Sequence, residues 1–205
     1  SVLLNGGGSN YDATYASNIS GDDQLTYTNT NADTYTFSYD EVESVQDDVI
    51  ATNFTILGST GIDSIEIATG YVSVNGATAL EYSNRENLIL SGSIDDTFDL
   101  VGDLNLGNGS ITLNNSSMTN TTNSLITADV LTLNAVNSIG SETLRINTNI
   151  NTLTINNAVS DIYLNESNAL ELGGLTTTAV VDLVVGGTLT QSENLVLTSN
   201  SNFAV

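Results

Sequence analysis

The chain reads as all-β, built as a β-helix or β-solenoid, and three observations predict this. Short apolar–polar–apolar triplets recur along it, turn-forming residues separate them, and proline is absent from all 205 positions. The triplets run Leu104-Asn105-Leu106, Ile111-Thr112-Leu113, Leu131-Thr132-Leu133, Leu144-Arg145-Ile146, Leu153-Thr154-Ile155, Ile162-Tyr163-Leu164 and Leu170-Glu171-Leu172. Apolar residues at i and i+2 lie on one face of a strand, so each triplet predicts a strand with one buried face. Asn, Ser, Thr and Gly between the triplets supply turns. Short strands and short turns in regular succession indicate stacked coils. Proline is ordinarily about 5% of residues. Stacked coils donate backbone N–H groups from rung to rung, which proline cannot do, so its absence fits that architecture.

The repeat length follows from the triplets. Leu144 and Ile162 are spaced by 18, while Ile162 and Val181, like Leu170 and Leu189, are spaced by 19. Upstream, Ile56, Val72, Leu88 and Leu104 are spaced by 16. Coils with a period of about 16–19 are therefore expected, stacked in a single solenoid over residues 1–205. Leu, Ile and Val point inward, with Thr and Asn outside. Asn105, Asn114, Asn134, Asn147, Asn156 and Asn165 each sit beside a triplet. They are expected to stack between coils, or else to permit left-handed turns.

The two halves differ. Seventeen of the 24 acidic residues and seven of the eight tyrosines fall before residue 104. Residues 51–205 are expected as regular coils, and residues 1–50 as acidic, Tyr-rich atypical coils or a cap. Within the latter, Tyr39 to Ile50 places Val42, Val45 and Val49 at helical spacing, against a β-branched, acidic composition, so helix and non-helix stay equally open there. Tyr35, Phe37 and Tyr39 alternate with Thr36 and Ser38 and share one strand face. They form either an aromatic platform for a sugar ligand or part of a wider core covering the end of the rod.

Composition narrows function. The net charge is −22, with two arginines, no lysine, no histidine and no cysteine. A surface this acidic repels phosphates, so neither nucleic acid nor an anionic membrane is an expected partner. No apolar run approaches the ~18 residues that read as a membrane helix. The first residues, Ser1-Val2-Leu3-Leu4, lack a basic signal segment, as expected of a mature chain or a piece of a longer one. Without His or Cys there is no nucleophilic triad or typical zinc site. Carboxylates are the abundant reactive groups. Asp95, Asp96, Asp99 and Asp103 are close enough in sequence to suggest a glycoside-cleaving pair. Such sites usually add cations or Trp to hold the sugar, and here Arg85 and Arg145 are the only cations and Trp is absent. The chain is therefore expected not to be an enzyme, and no cofactor is required.

Calcium suits these acids better. Gly58-Ser59-Thr60-Gly61-Ile62-Asp63-Ser64-Ile65 approximates the calcium nonapeptide of β-rolls. Gly21-Asp22-Asp23-Gln24-Leu25 and Asp95-Asp96-Thr97-Phe98 keep progressively less of it. Asp23, Asp63, Asp95 and Asp96 are thus candidate calcium ligands. The competing reading is that Gly and Asp form tight turns ahead of strands.

Residues 128–174 bear a family resemblance. In order they carry Leu131-Thr132-Leu133, Ser138-Ile139-Gly140, Leu144-Arg145-Ile146, Leu153-Thr154-Ile155, Asp161-Ile162-Tyr163-Leu164-Asn165-Glu166 and Leu170-Glu171-Leu172-Gly173. This run resembles the haemagglutinin-type repeats of large filamentous bacterial adhesins, exoproteins exported by a partner pore. The resemblance implies a right-handed parallel β-helix, secretion to a bacterial cell surface, and attachment to cells, matrix or glycans. It carries over no functional residues, because those repeats are scaffold. The family's secretion domain has an Asn-Pro motif, which this proline-free chain lacks. The function expected is a non-enzymatic adhesive or structural rod. The alternatives are a self-assembling filament subunit, whose partners are copies of itself, and a polysaccharide-degrading β-helix enzyme.

Overall fold

A computed structural model describes residues 1–6, 11–17, 23–39, 42–197 and 199–205. These residues form 24 β-strands and no helix, so none is long and apolar enough to cross a membrane. The strands lie in sheets of seven, eleven and six, most of them paired in parallel. From Arg85 to Thr127 the chain visits the three sheets in turn, and from Val130 onward its strands alternate between the eleven- and six-stranded sheets. Arg85–Ser91 lies in the eleven-stranded sheet, Thr97–Leu100 in the seven-stranded and Leu104–Asn105 in the six-stranded; Ser110–Asn114 then returns to the first of these.

The triplets place the core. Within Ser110–Asn114, Ile111 and Leu113 are buried while Ser110, Thr112 and Asn114 face outward. The next passes stack on it residue for residue, Ile111 on Leu131 on Leu153 on Leu172. Inward Leu133 and Ile155 continue the neighbouring row. Leu144-Arg145-Ile146 departs from the pattern. Ile146 is fully buried, but Leu144 is 55% exposed. Gly140 at φ +63 and a Ser141–Leu144 turn hold Leu144 outside, and the strand starts only at Ile146.

Parallel registers give the true repeat. Leu88 pairs with Ile111, Ile111 with Leu131 and Leu131 with Leu153, so successive passes are offset by 23, then 20, then 22. Downstream, Ile162 pairs with Val181 and Leu170 with Leu189, the same partners that the triplet spacing picks out. The upstream spacing of 16 is not a repeat. Leu88 pairs with Phe54, an offset of 34, because an antiparallel excursion intervenes. Ser64–Ala68 turns at Thr69-Gly70 to pair with Tyr71–Val74, which pairs in turn with Leu80–Tyr82. Gly70 has φ +70, and a Cβ there would meet the Tyr82 carbonyl oxygen at 2.8 Å. Asn75 and Gly76, both at positive φ, close a further tight turn in which the Ala77 N–H donates to the Val74 carbonyl.

The early residues are antiparallel as well. Tyr11–Ala16 pairs in parallel with Ala51–Leu57, but Asp23–Thr28 and Thr34–Tyr39 then add antiparallel at that end of the eleven-stranded sheet. The helix considered over residues 39–50 is not formed in the described part of that segment; Asp40 and Glu41 lie outside the described residues. Val45–Asp47 is a strand between Val2–Leu4 and Leu80–Tyr82, and pairing on both sides satisfies a backbone whose β-branched residues disfavour helix.

Candidate functional surfaces

Of the four candidate calcium ligands, two are brought together. Asp63 and Asp96 are neighbours, both buried, and each carboxylate is occupied by protein donors. Asp63 accepts from the Ser59 backbone N–H, from Ser59 Oγ at 2.9 Å and from Asn75 Nδ2 at 2.6 Å. Asp96 accepts from the Ser93 N–H at 2.6 Å, Ser93 Oγ at 3.0 Å and the Asp63 N–H at 2.9 Å. The two loops are the same device, Gly-Ser followed by an Asp that folds back to cap the serine. Gly58 and Gly92 are required beside them, since a Cβ at Gly58 would fall 2.7 Å, and at Gly92 2.6 Å, from an Asp96 carboxylate oxygen. Asp95 is exposed. Asp23 lies on another sheet, accepting from the Tyr15 hydroxyl at 3.2 Å; Gly21 and Asp22 beside it lie outside the described residues. Among the described residues no three acidic side chains converge to hold a metal ion. At Asp63 and Asp96 the geometry is that of the turn-forming reading.

The acids proposed for sugar cleavage are spread in the same way. Asp99 accepts from Thr119 Oγ1 at 2.8 Å and from Thr121, both on the next pass of the chain. Asp103 accepts from the Leu125 N–H at 2.9 Å. The Asp99 and Asp103 carboxylates each join one pass to the next.

A buried polar cluster closes the N-terminal end. Arg85 forms an ion pair with Asp47, and both side chains are essentially inaccessible. The same guanidinium donates to the carbonyls of Val49 and Ser83 and sits 4.9 Å from the centroid of the Phe54 ring. Around this pair Tyr15, Tyr27, Tyr39 and Tyr82 are all at most 8% exposed. Burial pushes all four phenols above their usual range. Nearby carboxylates add to the rise, Asp23 at Tyr15 and Tyr39 and Asp47 at Tyr27 and Tyr39. The Tyr27 hydroxyl faces the Asp47 carboxylate and the Tyr39 hydroxyl faces that of Tyr15, neither in well-formed hydrogen-bond geometry. Sequence reading missed this cluster, because it joins Tyr15 to residues as distant in the chain as Arg85. The only signal for it was the uneven distribution of tyrosine.

Tyr35, Phe37 and Tyr39 do share a face, the one that carries buried Leu25 and Tyr27 on the neighbouring strand, and only its Tyr39 end is buried. Exposure falls along it, from Tyr35 at 57% through half-buried Phe37 to buried Tyr39. Phe37 and Tyr39 rings pack 5.8 Å apart.

The outward face of the eleven-stranded sheet carries a polar grid. Asn134 Nδ2 donates to Asn114 Oδ1 at 2.9 Å, and Asn156 Nδ2 to Asn134 Oδ1 at 2.8 Å. On the six-stranded sheet Asn165 donates to Asn147 at 3.1 Å. Stacking and left-handed turning are divided between adjacent residues. Asn114 and Asn156 stack, whereas Asn115 and Asn157 adopt positive φ. Asn105 does not stack; its side chain accepts from the Gly107 N–H. Beside the asparagine row runs a row of threonine. Thr36, Thr26, Thr14 and Thr55 are consecutive partners, Ile89 follows, and Thr112, Thr132 and Thr154 complete it. The signal for this row was in the sequence as Ile-Thr-Leu-Asn, Leu-Thr-Leu-Asn and Leu-Thr-Ile-Asn at 111–114, 131–134 and 153–156.

No family model, no curated protein and no solved structure matches this chain.

Proposed function

We propose that the chain is a right-handed β-solenoid segment of an extracellular bacterial adhesin or filament, acting as a non-enzymatic rod. The observation that carries this reading is the residue-for-residue stacking of passes, joined by asparagine ladders and by carboxylates spanning from one pass to the next. Such stacking extends along one axis and gives reach and stiffness. Residues of the adhesin-like run serve as scaffold. Ile139 bridges to Ile162, and buried Glu166 accepts from the N–H groups of Ile150 and Asn168. Arg145 ties its pass to Asp182, two passes on. The antiparallel strands before residue 40 are read as the cap of the stack.

Binding of the biotinylated chain to immobilised matrix proteins, host-type glycans and epithelial cells tests the adhesive role. Saturable binding to one of these surfaces is expected. Signal no greater than on inert beads at every surface overturns adhesion. Release of reducing ends from pectin, xylan or chitin overturns the non-enzymatic reading. The filament alternative rests on Thr34–Tyr39, the last strand of its sheet, where a second copy would add; growth of fibres in sedimentation would favour it.

A further inference from the structure

The outward face of the eleven-stranded sheet is rich in threonine and asparagine and nearly free of charge. Across its eight strands from Thr34–Tyr39 to Thr152–Ala158, three outward rows run side by side. The central row is threonine, interrupted only by Ile89. One flanking row passes through Ala16, Leu57 and Ser91 and ends in Asn114, Asn134 and Asn156. The other runs through Asn53, Asn87 and Ser110 to Val130 and Thr152. In a chain with 24 carboxylates, Asp12 is the only charged residue in these three rows. Every threonine of the central row is at least partly accessible.

The chemistry excludes most ligands. Phosphates and sulfated glycans need cations, and the rows have none. Sugar rings bind by stacking on aromatic side chains, and the aromatic residues of Thr34–Tyr39 lie on the opposite face. A metal ion needs converging carboxylates. A protein partner of ordinary size needs buried aromatic or Arg anchors, and the rows offer neither. What the rows do offer is a lattice. Hydroxyls and methyls repeat at about 4.8 Å across strands, and alternate residues repeat at about 6.7 Å along them. Both spacings come close to the oxygen repeats on a prism face of hexagonal ice. Threonine suits such a surface, since its β-branch restricts χ1, its methyl orders a water cage and its hydroxyl anchors it. The asparagine amides are already held by one another and by Ser91, so the grid is preordered. A neutral grid also meets a neutral lattice without desolvating charge.

We propose that this threonine–asparagine face binds ice. The proposal holds whether or not the chain belongs to an adhesin. It is tested by partition of the whole chain into a slowly growing ice hemisphere and by inhibition of ice recrystallisation. Two variants are compared with it, each verified as folded by circular dichroism. Thr132→Tyr disrupts the central row, and Thr127→Tyr makes the same change on the six-stranded sheet. The unaltered chain and Thr127→Tyr are expected to enter ice, while Thr132→Tyr loses about tenfold in partition, equivalent to about 1.4 kcal/mol. Thr112→Tyr replaces Thr132→Tyr if that variant does not fold. Exclusion of the unaltered chain from ice overturns the proposal. So does loss on Thr127→Tyr with retention on Thr132→Tyr, or equal retention on crystalline cellulose and on ice.

Discussion

Raising the pH should unfold this protein through its tyrosines, with little else titrating. The chain has no lysine, histidine or cysteine, and its two basic side chains are arginines, which stay charged. Between about pH 9 and 12 the phenols are therefore the only side chains that change charge. Tyr15, Tyr27, Tyr39 and Tyr82 are buried, and all are held above the ordinary value by burial, three with carboxylates beside them. In the unfolded chain they ionise near pH 10; in the fold they keep their protons. The folded state then binds more protons than the unfolded one, so stability is intact below about pH 10 and falls above it. Four retained protons give a slope of roughly 5 kcal/mol per pH unit. Against a typical total of about 5–15 kcal/mol, the fold should open within about one to three pH units. The assay follows tyrosinate absorbance and circular dichroism together. Two steps are expected, the upper one coinciding with loss of sheet signal. Tyr27→Phe removes one retained proton and a hydroxyl that makes no well-formed hydrogen bond, so it should flatten the slope by about a quarter and cost no more than about 1 kcal/mol at pH 7. A single reversible step of all eight tyrosines with an unchanged sheet signal would refute the reasoning.

Other substitutions separate buried roles from exposed ones in thermal or denaturant melts. Arg85→Met leaves Asp47 charged and enclosed and should cost about 3–5 kcal/mol; a loss under about 1 kcal/mol would mean the pair is hydrated. Asp96→Ala strands the donors of Ser93 and Asp63, at about 1–3 kcal/mol each, whereas Asp95→Ala, at an exposed position, should stay within about 0.5 kcal/mol. Leu133→Ala should cost about 2–5 kcal/mol and Leu144→Ala about 0.5 kcal/mol or less, although both lie in the same kind of triplet. Because Asp63 and Asp96 already bind protein donors, millimolar calcium should raise the melting temperature no more than magnesium at equal ionic strength. A calcium-specific rise would show that those carboxylates exchange their partners for the ion.

How much was legible follows from how local each signal is. Ile111, Leu131 and Leu153 could be read from sequence because strand period 2 needs only neighbours, and stacked passes repeat the same local pattern. Leu144 misled because its triplet begins in a turn held by Gly140, and triplet spacing does not record where a strand starts. The evenly spaced series from Ile56 to Leu104 was coincidence: Val72 belongs to an antiparallel excursion that makes its pass longer than those that follow. The asparagines were read for both of their roles, but not for the division of labour between Asn114 and Asn115. For the acids, composition suggested calcium, while their partners, the Ser59 and Ser93 donors, lie just upstream in Gly-Ser turns. The buried tyrosine cluster was beyond reach, because it depends on Asp23–Thr28 and Thr34–Tyr39 folding back antiparallel.

The central claim is that residues far apart in sequence stack one strand per pass in a single row. Spin labels on Thr14 paired in turn with Thr112, Thr132 and Thr154 test it most directly, since these positions are three, four and five strands apart. At about 4.8 Å per strand the backbone separations should be roughly 14, 19 and 24 Å. Equal increments across the three pairs are the predicted result, and distances that fail to rise in that order would contradict the stacked register.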